Sequence, residues 1–349
     1  EKNTFNDNIS NWDVSNVTNM HGMFEGAAAF NQNLSSWNVS SVTNMSNMFS
    51  DAHAFNGDIS SWNVSSVTNM SVMFSDARAF NANISSWNVS NVTNMDEMFL
   101  AALVFNQDIS SWNVSNVTTM YKTFEYARAF NANISSWNVS NVGNMYKLFH
   151  NANNFNADVS SWNVSKVGNM GCMFCYATNF NANISSWNVS KVSNMAGMFW
   201  NATSFNQDIS GWNVSSVTKM NIMFEGAVAF NQNLSSWDVS NVTDMTNMFN
   251  GATALSDNNK CAIQQSFKSQ GPLVWPHIWV SAGCPFKPYN KAELETAVNL
   301  WAADRAAALS TYGEINTWVT SSITDMQDLF KEKNTFNDNI SNWDVSNVT

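Results

Sequence analysis

Trp12, Trp37, Trp62, Trp87, Trp112, Trp137, Trp162, Trp187, Trp212 and Trp237 stand 25 residues apart, with no insertion or deletion across ten units. A step this strict restricts the fold more than any other feature of the sequence. In a stack of coils no unit buries its apolar side alone, so each presents the same groups at the same height to the next. One inserted residue would shift every later rung.

The unit that begins at Trp37 serves for all ten. Trp37 and Val39 alternate around Asn38, a period of two that predicts a very short strand. From Val42 the apolar positions are Val42, Met45, Met48, Phe49 and Ala52, the three-and-four spacing of an amphipathic helix of about three turns. Ser40, matched by Ser in every unit, stands where it would cap that helix. Phe55-Asn56, Gly57-Asp58 and Ile59 then lead back to the next Trp as a return loop, with Phe55 and Ile59 inward and Asn56 expected as a buried rung stacked on its counterparts. Strands that repeat in one direction lie parallel, about 4.8 Å apart. The expected fold is an α/β repeat solenoid, with short parallel strands on one face, short helices on the other and one 25-residue repeat per coil. The Met and aromatic stripes read as packing, with Met as the adaptable filler.

Composition removes several function classes. With 26 acidic and 15 basic residues the net charge is −11, and only 12% of positions are charged, so nothing resembles a basic stripe for nucleic acid. A hydrophobic content of 44%, with 16 Trp, 24 Phe and 19 Met, supplies a core. No run reaches the ~18–20 apolar residues that cross a bilayer. The start, Glu1-Lys2-Asn3, reads as neither an initiator nor a signal segment, and is expected to belong to a mature or internal piece.

The formula I-S-S-W-N-V-S-x-V-T-x-M-x-x-M-F-x-x-A-x-x-F-N resembles the bacterial surface protein 26-residue repeat family, related to the BspA-like leucine-rich repeats, over residues 1–250. Leu34, Trp37 and Val39 also echo the strand signature of leucine-rich repeats. The resemblance implies a right-handed, leucine-rich-repeat-like coil on secreted or cell-surface proteins, with adhesive or structural roles and no catalysis. The strict 25-residue step departs from that family's 26.

Residues 251–289 break the pattern with Pro272, Pro276, Pro285 and Pro288, and read as a C-terminal cap and linker. A Cys261–Cys284 disulfide there would close a loop of about two dozen residues and add roughly 2–4 kcal/mol. Asn290 with Glu293 three residues on opens a capping helix over 290–312, with Leu294, Val298, Trp301 and Leu309 on its apolar side. Residues 313–349 start a new array: Trp318 precedes Trp343 by 25, and residues 332–349, EKNTFNDNISNWDVSNVT, repeat residues 1–18 letter for letter. Either tandem copies of one module or recent expansion of the repeat explains the identity; both imply a longer parent protein.

Asn-x-Ser/Thr sequons fall in two rows. One is Asn38, Asn63, Asn88, Asn113, Asn138, Asn163, Asn188 and Asn213; the other is the loop row Asn8, Asn33, Asn83, Asn133, Asn183, Asn233 and Asn339. In a secreted eukaryotic protein such sites accept glycans. A ~4.8 Å strand spacing crowds glycans on the first row, which reads as structural. In the loop row Asn alternates with Asp58, Asp108, Asp158 and Asp208, which doubles the spacing; a duplicated 50-residue ancestor explains the alternation equally well. Asn201-Ala-Thr is a weaker acceptor.

Cys172-Met-Phe-Cys175, expected on an outward helix face, lacks the further ligands a structural zinc site needs, and reads as free thiols or a local or intermolecular disulfide. The four cysteines together fit an oxidising compartment. His21, His53, His150 and His277 are scattered, so no nucleophilic triad or paired-carboxylate site can be assembled. The sequence therefore points to a structural, non-enzymatic component of an extracellular or cell-surface filament of tandem modules, glycosylated and adhesive, associating end to end, with polysaccharide or cell surface as further partners. It points to no metal and no cofactor other than N-linked glycans, and to no nucleic acid or membrane span. The alternative is a carbohydrate- or ice-binding module that uses the Asn/Ser ladder.

Overall fold

Tight turns, where a helix was expected, bend each repeat into one coil. The computed structural model describes residues 2–270, 279 and 284–349. Its two units are Glu1–Gln232 with Asn241–Ala254, and Asn233–Ser240 with Leu255–Thr349.

In the first unit, parallel bridges join successive coils from Asn19↔Asn44 to Lys219↔Asp244, nine in all and each confined to a single residue pair. Over Met45–Ala52 two kinds of hydrogen bond alternate. The N–H groups of Met48, Ser50 and Ala52 donate to the carbonyls of Met45, Asn47 and Phe49, closing turns within the coil. Those of Met45, Asn47, Phe49 and Asp51 donate to Asn69, Ser71, Met73 and Ser75 of the next coil, at 2.8–3.0 Å. Asn47 and Asp51 both lie in the left-handed region at φ 57°, the third position of a turn that requires positive φ.

These facts overturn the α/β solenoid with parallel strands and helices. Among the described residues no coil contains a strand or an α-helix; the α-helices are α1 (Asp257–Lys268), α2 (Lys291–Ala303) and α3 (Arg305–Tyr312). An L residue in the left-handed region costs about 1–2 kcal/mol and cannot continue a right-handed helix. One such residue every four breaks the helix that the apolar spacing suggests. The turns still bring Met45, Met48, Phe49 and Ala52 inward, which is why the spacing imitates a helix. With no helix to start, Ser40 caps nothing; its N–H donates to Asn38 Oδ1 at 3.2 Å.

A buried aromatic column runs through the stack. Trp37 and Trp62 lie parallel at 6.4 Å, Phe49 meets Phe55 at 3.8 Å within a coil, and Phe55 meets Phe80 at 6.1 Å between coils. The indoles lean toward the preceding coil, as Trp37 Nε1 donates to Ile9 O at 3.1 Å and Trp87 Nε1 to Ile59 O at 3.2 Å. Asn56 is exposed where it was expected to be buried. Its Oδ1 accepts from Asn81 N–H while its own N–H donates to Asn31 Oδ1, both at 2.8 Å, so the ladder runs along the surface. Water there offers a hydrogen-bond partner for whatever the ladder leaves unpaired.

Val72 (φ 60°) and Ile222 (φ 52°) occupy a left-handed position that other coils fill with Gly22, Asn47, Gly197 and Asn247. Val72→Asn and Ile222→Asn are expected to raise stability by about 0.5–1 kcal/mol each, by relieving a β-branched residue at positive φ. Thermal unfolding followed by circular dichroism checks this. A lowered midpoint would mean that contacts of these half-buried side chains outweigh the backbone strain.

In the second unit, α1 follows N-cap Ser256 and meets the segment Asn233–Ser240. Gln270 donates to Trp237 O at 2.8 Å and accepts from Val239 N at 2.6 Å, and Ser266 Oγ donates to Ser235 O at 2.6 Å. α2 starts at Asn290, whose side chain accepts from Glu293 N–H at 2.9 Å. The expected single helix over 290–312 breaks at Asp304, which ends α2 and caps α3; this turns Leu309 outward, 40% exposed. Leu294, Val298 and Trp301 of α2 pack with Trp318, Ile323, Leu329 and Trp343. Pro272 and Pro276 lie outside the described residues.

Candidate functional site

The loop asparagines owe their conformation to the sequon itself. Oδ1 of Asn8, Asn33, Asn83, Asn133, Asn183, Asn233 and Asn339 accepts the N–H of the Ser two residues on, at 2.8–3.0 Å, an Asx turn. Asp58, Asp108, Asp158 and Asp208 make the same bond, so Asn and Asp are interchangeable for the turn. The Ser60 N–H and hydroxyl hold the Asp58 carboxyl below its usual range. All seven asparagines are exposed, and among the described residues Nδ2, the atom that carries an N-glycan, donates to nothing.

The first sequon row lies in no strand. Asn38 and Asn63 are exposed and form the same Asx turn with Ser40 and Ser65, at 3.2 Å. Asn201 differs from both rows. It is half-buried at φ 53°, inside the strip of turns, and its N–H donates to Glu225 O.

That strip, where the repeat formula varies most, gathers the charged and aromatic groups of the middle coils. Tyr121 and Tyr146 stack at 5.6 Å, with Lys122 and Lys147 over their rings. Beneath them Glu125 is only 4% exposed, and its Oε1 lies 2.7 Å from His150 Nδ1 and 3.2 Å from Lys147 Nζ. Lys122 Nζ is 3.6 Å from Glu125 Oε2 and 3.6 Å from Glu97. Burial pushes the Glu125 carboxyl up, but the His150 hydrogen bond, Lys147 and the His150 charge together hold it below the usual glutamate range. In the sequence His150 is one of four scattered histidines. The signal for the pairing was the 25-residue step from Glu125 to His150, which puts them at one position of adjacent coils.

His21 Nδ1 meets Ser46 Oγ at 2.7 Å, and His53 meets Asp76 at 2.9 Å. Asp51, His53 and Asp76 bring their polar atoms within 4.8 Å of one another, but Arg78 already forks onto both oxygens of Asp76, so the group is an ion-pair cluster. His277 lies outside the described residues. Cys172 and Cys175 form a disulfide across a turn, with Cα atoms 4.7 Å apart. The expected outward helix face does not exist there, and Cys175 is fully buried. Gly197 in the next coil has φ 60°, and a Cβ on it would lie 3.1 and 3.4 Å from the two sulfurs, a tight fit that the glycine avoids. Cys261 and Cys284 are bonded with Cα atoms 5.2 Å apart. Among the described residues no helix is long and apolar enough to cross a membrane.

No curated protein matches the chain. The family described as "Mycoplasma protein of unknown function, DUF285" matches residues 1–107, 80–183, 144–262 and 299–349. The chain belongs to this family of repeats.

Proposed function

We propose that this DUF285 chain is a structural component of an extracellular or cell-surface filament, made of successive stacks joined end to end and bearing glycans on its loop asparagines. The observation that carries the reading is the return of residues 1–18 as residues 332–349, after one stack and one capping segment. Parts that repeat head to tail without closing generate filaments. The finer likeness to BspA-like surface repeats, and with it adhesion, belongs to the same proposal, as does the absence of catalysis.

Native material is expected to appear as filaments under negative stain and to sediment far above the 38.8 kDa of this sequence. Discrete particles of that mass at every concentration would remove the filament. The glycan part stands separately: intact-glycopeptide spectra are expected to show sugar on Asn33, Asn83, Asn133 and Asn183, where Nδ2 faces solvent. Bare asparagines at all four would overturn it.

A second reading is carbohydrate binding, favoured by the half-exposed Tyr121, Tyr146, Tyr176 and Trp200 on the strip of turns, since aromatic faces with polar neighbours suit sugar rings. The Asn/Ser rows suit it less, because their Oδ1 atoms are already taken by Asx turns.

A further inference from the structure

Cys172 and Cys175 bridge a turn that other coils form without covalent help. Two coils earlier the same positions hold Lys122 and Glu125, whose charged ends lie 3.6 Å apart. One coil earlier they hold Lys147 and His150, where the His150 N–H donates to Lys147 O at 3.1 Å; in the bridged coil the Cys175 N–H donates to Cys172 O at 3.2 Å. The backbone angles agree, with Lys147 and Asn151 at φ 57° and Cys172 and Tyr176 at 52° and 56°. So do the bonds to the next coil, from Lys147 N–H to Gly171 O at 3.0 Å and from Cys172 N–H to Ala196 O at 2.8 Å. The turn therefore needs no staple. Nor does the bridge restrain much of the unfolded chain, because it joins residues 3 apart in sequence, against 23 for Cys261–Cys284, and the entropy removed grows with the loop closed.

The two sulfurs differ in their surroundings. Cys172 is half-buried on the strip of turns, next to Gly197, which has no side chain, whereas Cys175 is fully buried. Gly197 O lies 2.8 Å from Cys175 Sγ and accepts from Trp200 N–H at 2.9 Å, which leaves it one lone pair. A bonded sulfur has no hydrogen to give that lone pair, but a thiol has one. The fold thus already holds an acceptor for Cys175 in its reduced form. One sulfur in reach of solvent beside a buried one is the arrangement in which the first meets an incoming thiol and the second resolves the adduct.

We propose that the Cys172–Cys175 bridge is a reversible thiol-exchange site, where Cys172 takes up a small thiol as a mixed disulfide and Cys175 is the resolving thiol. The thiolate of the incoming R–SH attacks Cys172 Sγ, and the new S–S bond forms as the Cys172–Cys175 bond breaks. The electron pair leaves on Cys175 Sγ, which takes up the proton given by R–SH and donates it to Gly197 O as a hydrogen bond. Attack by Cys175 on the adduct runs the same step backwards and releases R–SH. Nothing in this chemistry needs the filament or its glycans.

The test uses the full folded chain with reduced glutathione as the thiol, exchange being stopped by acid at intervals and the adducts mapped by peptide mass spectrometry. Glutathione is expected on Cys172, with Cys175 as the free thiol, in about tenfold or greater excess over the opposite adduct. The circular dichroism of the chain should stay unchanged as the bridge opens. Cys175→Ser should keep the adduct, having no resolving thiol, and Cys172→Ser should leave Cys175 about tenfold slower toward oxidised glutathione. If either variant fails to fold, the wild-type adduct map decides alone. A bridge that opens only in denaturant, adducts chiefly on Cys175, or loss of the folded spectrum as the bridge opens would each overturn the site and make the bridge a staple. The filament stands or falls on its own images and mass.

Discussion

Trp87→Ala lowers the unfolding free energy by about 3–5 kcal/mol, the usual cost of emptying the site of a buried aromatic side chain. Trp87 is 3% exposed, lies between Trp62 at 6.2 Å and Trp112 at 6.4 Å, and closes Ile59 O with its Nε1. The change therefore leaves a cavity and takes from the buried Ile59 carbonyl one of its two donors, the other being the Trp62 N–H at 3.2 Å. The effect should reach the neighbouring coils, because in a stack each unit is held only by the next. Trp12→Ala is the control. Its indole is half in water and has no acceptor among the described residues, so the same change there should cost less than half as much. Guanidinium unfolding of the two variants decides the matter, and equal losses would mean that the aromatic column is not what holds the stack.

Glu125→Ala has the second large effect, about 3–5 kcal/mol at neutral pH, the cost of breaking a buried pair from one side. It strips Lys147 and His150 of the carboxylate they share while leaving them in place. The pH dependence follows from the direction of the shift. Because the folded-state pKa of Glu125 is lowered, its stabilisation is fully present above the ordinary glutamate pKa of about 4.3 and is lost as pH falls through the lower folded value. The gap between wild type and variant should therefore hold from pH 7 to about 5 and narrow below about 4. A gap that persists unchanged at pH 3 would show that the carboxylate's charge contributes nothing. Glu125→Gln separates shape from charge, since the amide keeps the volume and can still accept from His150.

The period, the identity of the rungs and the capping of α2 by Asn290 were legible in the sequence because each rests on local spacing. The path of the chain over Met45–Ala52 was not. Val42, Met45, Met48, Phe49 and Ala52 satisfy a helical stripe and a run of tight turns alike, and periodicity alone cannot separate two backbones that bury the same side chains. A separating signal did exist: glycine, asparagine or aspartate recurs at the positions of Asn47 and Asp51, as Gly22, Gly197 and Asn247 at one and Gly26, Asp76, Asn151, Gly226 and Gly251 at the other. These residues tolerate positive φ, and their presence every fourth residue is hard to reconcile with helix. The Glu125–His150 pair is hidden in the sequence for a different reason. Its partners sit a whole repeat apart in the chain, and the charged positions vary from coil to coil, so no local motif marks them and only the 25-residue step relates them.

What the sequence determined by itself is the repeat: which side chains recur, at what interval, and that the chain comes back to its opening segment. An interval is a property of order along the chain and can be read without coordinates. What only the tertiary structure decided is where the backbone hydrogen bonds go. The Asn47 N–H can be satisfied by a carbonyl one helical turn back or by that of Ser71 in the following coil, and the choice depends on whether a neighbouring coil is there to offer it. The stack offers it, and so turns replace helices and the asparagine ladder lies outside.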